Sequence, residues 1–330
     1  MSDSTWRDLR SLRHDPPGFA NSRGSRRATF QAALEQCEQF IKAGASADYA
    51  TRPLQLFYAM SQGTRAVVAA SPRIGQNWRV QGHGLSAVTD KSTLPEVALF
   101  ANGDGLFQAL ATVLDFPPLV DKEQVQLGAL WPLIPESIEA PLNADETLSA
   151  IMLWPGEWPQ HHALYTAELG WIRNAVPRLY GQDKQAVAKH FAQYPALRGL
   201  SWTVGQKVAW NINGFATSLD VQFELVDGER PSVIKPGSRL GARYCGQVSA
   251  EVFITPAVGT MPGPLHPILA WWSTLLALSS LARYEPANWA KMIDVNSSPY
   301  ATAVEHLLDD AIVRIPRMLL SMLTHIEDPG

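Results

Sequence analysis

The sequence predicts an α+β protein in which helices from both ends of the chain form a bundle around an inserted mixed region. Apolar residues recur at helical spacing over 29–87 and again over 261–330. Between these segments, over 88–260, short runs of β-forming residues alternate with Gly, Asp and Pro breaks, a pattern typical of an antiparallel sheet. We therefore expect a helical bundle and an inserted α+β region.

The composition is that of a folded protein. The 330 residues are 46% apolar and 18% charged, which excludes a disordered chain. The net charge of −4 argues against binding nucleic acid over the whole surface but leaves a local basic patch open. The amino terminus lacks a signal-peptide core, and the longest apolar run, of about 15 residues, is short for a membrane span. We expect a cytoplasmic protein without membrane contact.

The first part of the chain predicts an arm and two helices. Residues 1–28 hold six arginines against three aspartates and are interpreted as an extended arm, which is either a solvated tail or a strap that covers the domain or contacts an anionic partner. One helix is expected from Thr29 to Gly44. A second, apolar around most of its circumference, is expected from Thr51 to Ala70 and is typical of the centre of a bundle.

The middle of the chain predicts strands and helices, and its end predicts helices. Strands are expected at EVALF, TLSAIMLW, KVAWNINGF, SLDVQFELV and QVSAEVFIT, with a hairpin turn at VDGER. Helices are expected at LFQALATVLDF, KEQVQLGALWPLI and KQAVAKHFAQYPAL. Two further helices follow, one between Pro267 and Pro286 and one that starts near Pro299, which Pro316 is expected to kink or split near its end.

Several of these segments resemble a known family. The blocks ATFQAALEQCEQF, RPLQLFYAMSQGTRAVVAA, GHGLS, PLHPILAWWSTLLALSSLARYEPANW and VEHLL look like the YaaC-like proteins of bacteria. The resemblance covers both helical ends and, more weakly, LGALWPLIPE. It implies a fold rather than an activity.

A second resemblance points toward RNA. The stretch LFYAMSQGTRAVVAA with GHG downstream is similar to HEPN-domain proteins, helical bundles of toxin–antitoxin, antiviral-defence and RNA-processing systems. This resemblance implies a HEPN-like bundle over 29–87 and 261–330. Some HEPN members cut RNA without a metal, using an arginine and a downstream histidine with four to six residues between them. Here Arg65 and His83 are too far apart for one helical face, and the pair with the family's spacing, Arg7 and His14, lies in the arm. The catalytic signature is therefore not carried over.

Arg65 and His83 each allow two interpretations. Arg65, in a mostly apolar helix, has either a structural or a functional role. In the structural role it pairs with a carboxylate, for which Glu285 is the natural candidate, or caps backbone carbonyls of a neighbouring element; in the functional role it holds an anion beside His83. His83 lies between Gly82 and Gly84, which permit a sharp turn or a close approach of the backbone. Its imidazole either bonds the backbone at that turn or acts as a general acid or base.

The ARYEP block supplies the remaining candidates. Arg283 and Tyr284 would support charge in a transition state, and Glu285, disfavoured at a helix C-terminus, is expected to be paired. His266 lies at the other end of the same helix, about 25 Å away at helical rise, so it cannot share a small site with Arg283. His161 and His162 have no ligand at metal spacing, so no metal and no cofactor is expected.

Three functions follow from these observations and resemblances. The leading expectation is a subunit that binds RNA or a protein partner in a bacterial defence or stress-response assembly, without constitutive catalysis. The alternative is a metal-independent endoribonuclease with a rearranged Arg65 and His83 site. The third is a structural homo-oligomer, for which a symmetric dimer is expected.

Overall fold

The computed structural model describes residues 3–143, 148–155, 164–168, 189–197, 201–206, 219–224, 242–245 and 250–326. Its helices are α1 (Asp3–His14), α2 (Ser25–Ser46), α3 (Arg52–Ala70), α4 (Leu106–Leu114), α5 (Leu127–Leu130), α6 (Pro267–Tyr284), α7 (Pro286–Met292) and α8 (Ala301–Thr324). Its strands are β1 (Leu85–Val88), β2 (Ala98–Ala101), β3 (Val125–Gln126), β4 (Ile151–Pro155), β5 (Leu164–Glu168), β6 (Ser201–Gln206), β7 (Leu219–Glu224), β8 (Ala242–Cys245) and β9 (Ala250–Ile254). The α+β class predicted from the sequence is confirmed.

Helix α3 is the central element. It packs against α2, α4, α6 and α8, so helices from both ends of the chain meet around it. Its apolar circumference explains this position, because every residue from Ala66 to Ala70 is buried. Pro53 lies in its first turn, where a missing N–H costs no hydrogen bond, and the predicted course of this helix is confirmed.

The amino-terminal segment is helical, so the prediction of an extended arm is wrong. Helix α1 buries Trp6 and Leu9 and packs against α2 and α8. Its Arg10 forms an ion pair with the buried carboxylate of Glu38 in α2. The alternative of a strap over the domain agrees with this packing. Helix α2 begins at Ser25 instead of Thr29 and runs two residues past Gly44.

The strands form two antiparallel sheets. One has the order β1-β2-β3, and the other has the order β6-β7-β5-β4-β9-β8. The second confirms the antiparallel sheet predicted within 88–260 and the strands at TLSAIMLW, SLDVQFELV and QVSAEVFIT. The segments KVAWNINGF and VDGER lie outside the described residues, as does the first part of KQAVAKHFAQYPAL.

The segment KEQVQLGALWPLI is not the single helix that was predicted. It forms the strand β3, the single turn α5 and a 3₁₀ turn over Trp131–Leu133. Pro132 explains the end of the segment, because its ring and its missing N–H disrupt a helix interior. The first part is a strand because Val125 and Gln126 pair with Leu99 and Ala98 of β2. Trp131 is buried in the same hydrophobic core as Phe57 and Trp271 of the terminal helices. The inserted segment thus contributes side chains to the core of the bundle.

None of the helices within the described residues is both long enough and apolar enough to cross a membrane.

Candidate anion-binding site

The GHG turn after α3 is held against the first turn of α4. Gly82 and Gly84 have φ angles of 75° and 77°, a left-handed conformation that side chains other than glycine rarely adopt. The carbonyl of His83 accepts a hydrogen bond of 3.1 Å from the Phe107 N–H. The carbonyl of Gly84 accepts one of 2.8 Å from the Gln108 side-chain amide. The sharp turn predicted from the flanking glycines is confirmed, and it fixes the position of His83.

Gly105, the residue before α4, permits this contact. A methyl group at Gly105 would collide with the backbone of Gly84 and of His83. The sequence stretch NGDG indicates only a turn at this point. Its last glycine is in fact required by the close approach of two backbone segments.

The imidazole of His83 lies among aromatic rings. Its centroid is 4.9 Å from that of Phe57, which it meets edge-on, and 6.1 Å from that of Trp272. Its Nδ1 is buried and has no hydrogen-bond partner among the described residues. Burial, followed by the positive charges of Arg283 and Arg65, lowers the pKa of His83 below its ordinary value. The neutral imidazole is therefore the form favoured at neutral pH.

Arg65 does not pair with Glu285, so that form of the prediction is wrong, whereas the alternative of a backbone carbonyl as partner agrees with the structure. Its guanidinium donates a hydrogen bond of 3.1 Å to the carbonyl of Val80, in the loop that leads to His83. Within the part of the chain that the structure describes, Arg65 forms no ion pair. The loop from α3 to the GHG turn passes close to Arg65, so a backbone carbonyl of this loop accepts the hydrogen bond of the guanidinium.

Arg283, at the end of α6, lies between two tyrosines. Its Nη1 is 3.4 Å from the hydroxyl of Tyr58, and its guanidinium carbon lies 4.7 Å from the ring centroid of Tyr284. Its Nε is buried without a partner among the described residues. Tyr58, which stacks on Phe40, is a residue that the sequence analysis did not select. The available signal was its position next to Phe57 in an otherwise apolar helix.

Glu285 and His266 lie outside this cluster, at opposite ends of α6. Glu285 joins α6 to α7 through its backbone, since its N–H donates to Leu281 and its carbonyl accepts from Trp289. In the described part of the chain its side chain forms no ion pair. His266 is the N-cap of α6, where its Nδ1 accepts a hydrogen bond of 3.0 Å from the N–H of Ile268. His266 therefore has a structural role.

The arrangement concentrates positive charge. Arg65 and Arg283 both act on His83, and neither has a carboxylate partner among the described residues. Two guanidinium groups beside a neutral imidazole can bind an oxyanion, because arginine presents paired N–H donors that match phosphate and carboxylate oxygens. The structure thus brings together Arg65, His83, Arg283 and Tyr284 of the predicted site residues.

A second charged cluster was missed by the sequence analysis. The buried side chain of Glu136, with 5% of its surface exposed, forms an ion pair of 2.7 Å with Nε of Arg314 in α8. It also accepts hydrogen bonds of 2.9 Å from the Tyr244 hydroxyl and 3.3 Å from the Trp271 indole N–H. Burial raises the pKa of Glu136 although Arg314 opposes this shift. The carboxylate of Glu136 thus has an ion-pair partner and two hydrogen-bond donors, and the cluster joins the inserted region to α6 and α8.

The described residues contain no group of three or more His, Cys, Asp or Glu side chains that could hold a metal ion. His161 and His162 lie outside the described residues.

Comparison with known proteins identifies the family. The model of the family described as YaaC-like Protein matches residues 13–323. No curated protein and no solved structure matches the chain. The match extends from the end of α1 to the last turns of α8 and includes every residue of the anion-binding site. The chain belongs to the YaaC-like protein family.

Proposed function

We propose that this protein binds RNA, with a backbone phosphate held by Arg65, His83 and Arg283, as a binding subunit without constitutive catalysis. One observation carries the proposal: Arg65 is held by the carbonyl of Val80 and Arg283 lies against the hydroxyl of Tyr58, while Nδ1 of His83 and Nε of Arg283 are buried without a partner among the described residues. Within the same residues, none of the three side chains has an acidic partner, and the charges of both arginines act on His83. An unpaired cation in a partly buried position is costly, and a bound phosphate would remove that cost.

The chemistry of the site favours phosphate over a simple counterion. Arg65 uses one N–H on the carbonyl of Val80, and a guanidinium offers five N–H donors in total. Arg283 is oriented by Tyr58 and Tyr284, so its remaining donors are held in place before a ligand arrives. A local site of this kind is compatible with the net charge of −4, which excludes only binding over the whole surface.

The biological setting is part of the proposal. A HEPN-like bundle implies a bacterial defence or stress-response assembly, in which a protein partner or a second copy of the chain would accompany the RNA. This setting rests on the resemblance to HEPN-domain proteins, and the packing of helices from both chain ends around α3 agrees with a helical bundle.

A second candidate function is a metal-independent endoribonuclease. The observation that favours it is His83, whose imidazole is neutral at neutral pH and whose Nδ1 is unpartnered among the described residues. In this reaction His83 would take the proton of a 2′-hydroxyl, whose oxygen attacks the adjacent phosphorus. The bond to the 5′ oxygen breaks, and the imidazole returns the proton to that oxygen. The products are a 2′,3′-cyclic phosphate and a 5′-hydroxyl.

Binding and cleavage can be tested together with a labelled short single-stranded RNA in excess chelator. The proteins are wild type, Arg65→Met, Arg283→Met and His83→Gln, with Arg73→Met as the control because Arg73 pairs with Asp115 outside the site. All are first compared by melting temperature. We expect each site arginine variant to bind about tenfold or more weakly, since a charge-assisted hydrogen bond contributes about 1.5–3 kcal/mol.

The outcomes separate the candidates. Equal binding by all variants, or no binding by wild type, rejects the phosphate site. Binding without cleavage supports the binding subunit. Cleavage that survives chelation and disappears in folded His83→Gln assigns the endoribonuclease.

A further inference from the structure

We infer that the site takes single-stranded RNA, with one base stacked on the ring of Tyr284 and the neighbouring phosphate held at Arg283. This inference rests on the proposed function and adds the form of the RNA and a second contact point. It follows from the position of one exposed aromatic ring beside Arg283, which has no acidic partner among the described residues.

Tyr284 is unusually exposed for its size. Its exposed fraction is 66%, and the other large hydrophobic side chains exposed in the described part of the chain are Val120 and Val295. The helix that it ends is otherwise almost entirely buried, from Pro267 through Leu281. Large aromatic rings stabilise a protein mainly when they are buried, so an exposed one at a helix end contributes little to the fold.

The backbone fixes where this ring stands. Tyr284 is the last residue of α6, and α7 begins two residues later at Pro286. The N–H of Glu285 is bonded to the carbonyl of Leu281, and the N–H of Trp289 to that of Glu285. The indole N–H of Trp289 is bonded in turn to the carbonyl of Ala50, which ties α7 to the start of α3. Tyr284 therefore projects from a rigid junction.

The ring and the cation are already in contact. The guanidinium carbon of Arg283 lies 4.7 Å from the ring centroid of Tyr284, which is a cation–π distance. A single guanidinium leaves most of the ring surface accessible, as the 66% exposure shows. The same arginine lies near enough to His83 to lower the pKa of its imidazole. One side chain thus touches both the stacking surface and the anion-binding cluster.

This combination favours an unpaired nucleotide. A base stacks on an aromatic ring irrespective of its sequence, while basic side chains follow the backbone. In a duplex the base faces are already stacked on one another and are not available to Tyr284. A phosphorylated serine or threonine would occupy the arginines but brings no planar ring to the tyrosine.

The test separates the base contact from the phosphate contact. Equilibrium binding by fluorescence anisotropy is measured for a short single-stranded RNA, for the same backbone with abasic positions, and for the corresponding duplex. The proteins are wild type, Tyr284→Phe and Tyr284→Ala, with Val295→Ala as the control for loss of an exposed apolar side chain. Tyr284→Phe keeps the ring and removes only the hydroxyl.

We expect Tyr284→Ala to weaken binding of the base-bearing single strand by about 5- to 150-fold, which corresponds to the loss of one stacked base. Tyr284→Phe and Val295→Ala should stay within about twofold of wild type. The abasic RNA and the duplex should bind wild type more weakly than the single strand. Tyr284→Ala should weaken both of them much less than it weakens the single strand, because with these ligands it removes only the contact that orients Arg283.

Three results would overturn the inference while leaving the phosphate site intact: abasic and base-bearing RNA bind wild type equally, the duplex binds as tightly as the single strand, or Tyr284→Ala binds like wild type. In each case Arg65→Met and Arg283→Met would still lose binding. If wild type binds none of the three RNAs, the proposed function itself fails.

Discussion

The two charged clusters of this protein differ in how completely their arginines are satisfied. Arg314 is 15% exposed and faces the carboxylate of Glu136, which also accepts hydrogen bonds from Tyr244 and Trp271. Arg65 and Arg283 are partly buried, and the positive charges of both act on His83. Their hydrogen-bond partners are a backbone carbonyl and a tyrosine hydroxyl. The first cluster is complete without a ligand, and the second is not.

This difference indicates that the cluster of Arg65 and Arg283 is the functional one. A buried charge that already has an opposite charge and further hydrogen bonds serves the packing of the elements that it joins. Two cations that act on the same histidine without a carboxylate partner among the described residues do not stabilise the fold through their charges, so a bound anion explains them better. Three measurements test this contrast between the two clusters.

The largest effect should come from removing one partner of the complete cluster. Arg314→Met leaves Glu136 as an uncompensated buried carboxylate, and we expect a loss of about 3–5 kcal/mol in the free energy of unfolding. Arg65→Met removes a single hydrogen bond to a carbonyl and should cost about 1 kcal/mol. Urea denaturation of both variants measures the two values.

A double variant sharpens this result. Glu136→Leu combined with Arg314→Met replaces both charges by apolar groups and should recover most of the lost stability, because no isolated charge remains. Equal costs for Arg314→Met and Arg65→Met would mean that the two clusters do not differ as described.

An intermediate effect is expected from a substitution at Gly105, where the start of α4 lies against the backbone of the GHG turn. Gly105→Ala places a methyl group against the backbone of Gly84 and His83 and should cost about 1–3 kcal/mol in the free energy of unfolding. The displaced turn should also weaken RNA binding. Thermal denaturation and anisotropy measure the two consequences.

Gly263→Ala is the matched control. The added methyl group at Gly263 meets only a side-chain carbon of Pro117, at an ordinary contact distance of 3.5 Å, and its φ lies outside the left-handed region, so the free energy of unfolding should change by less than about 0.5 kcal/mol. If Gly105→Ala is equally harmless, the packing of the GHG turn on α4 does not position His83.

The smallest effect concerns pH. The folded-state pKa of His83 is lowered, so its contribution to stability is present above its ordinary pKa of about 6.5 and is lost as pH falls through the folded value. A bound phosphate favours the imidazolium, hence binding takes up a proton. RNA should bind more tightly as pH falls below about 6.5. The gain is up to about tenfold for each unit by which the bound phosphate raises the pKa of His83.

His83→Gln should flatten this pH dependence. The phosphodiester groups of RNA do not titrate in the same range, which makes RNA a suitable ligand for the measurement. An unchanged slope in the variant would assign the pH dependence to another group and would place His83 outside the anion site.

The sequence predicts the elements of this fold well where one pattern dominates. The apolar circumference of α3 and the prolines that bound α6 fix both helices, and the glycines beside His83 fix a turn. Helix α1 was missed because its arginines and serines obscure the two buried residues, Trp6 and Leu9, that hold it to the bundle. Its stability comes from tertiary contacts, to which local composition is insensitive.

The site was only half predictable for a related reason. Arg65, His83, Arg283 and Tyr284 stand out by residue type, but the partner of Arg65 depends on the path of the loop that ends at Val80. Helical periodicity says which face a side chain occupies and nothing about that path. The ion pair of Glu136 and Arg314 cannot be predicted from periodicity either, because it joins residues that are remote in sequence.

The central position of α3 also has a consequence for synthesis of the chain. Two of the helices that cover it, α6 and α8, begin at residues 267 and 301, about 200 residues or more after α3 ends at residue 70. At roughly 5–20 residues per second, a ribosome needs about 10–40 s to bridge that gap. Throughout this interval part of the apolar surface of α3 is uncovered, so the nascent chain depends on protection from aggregation before its last helices emerge.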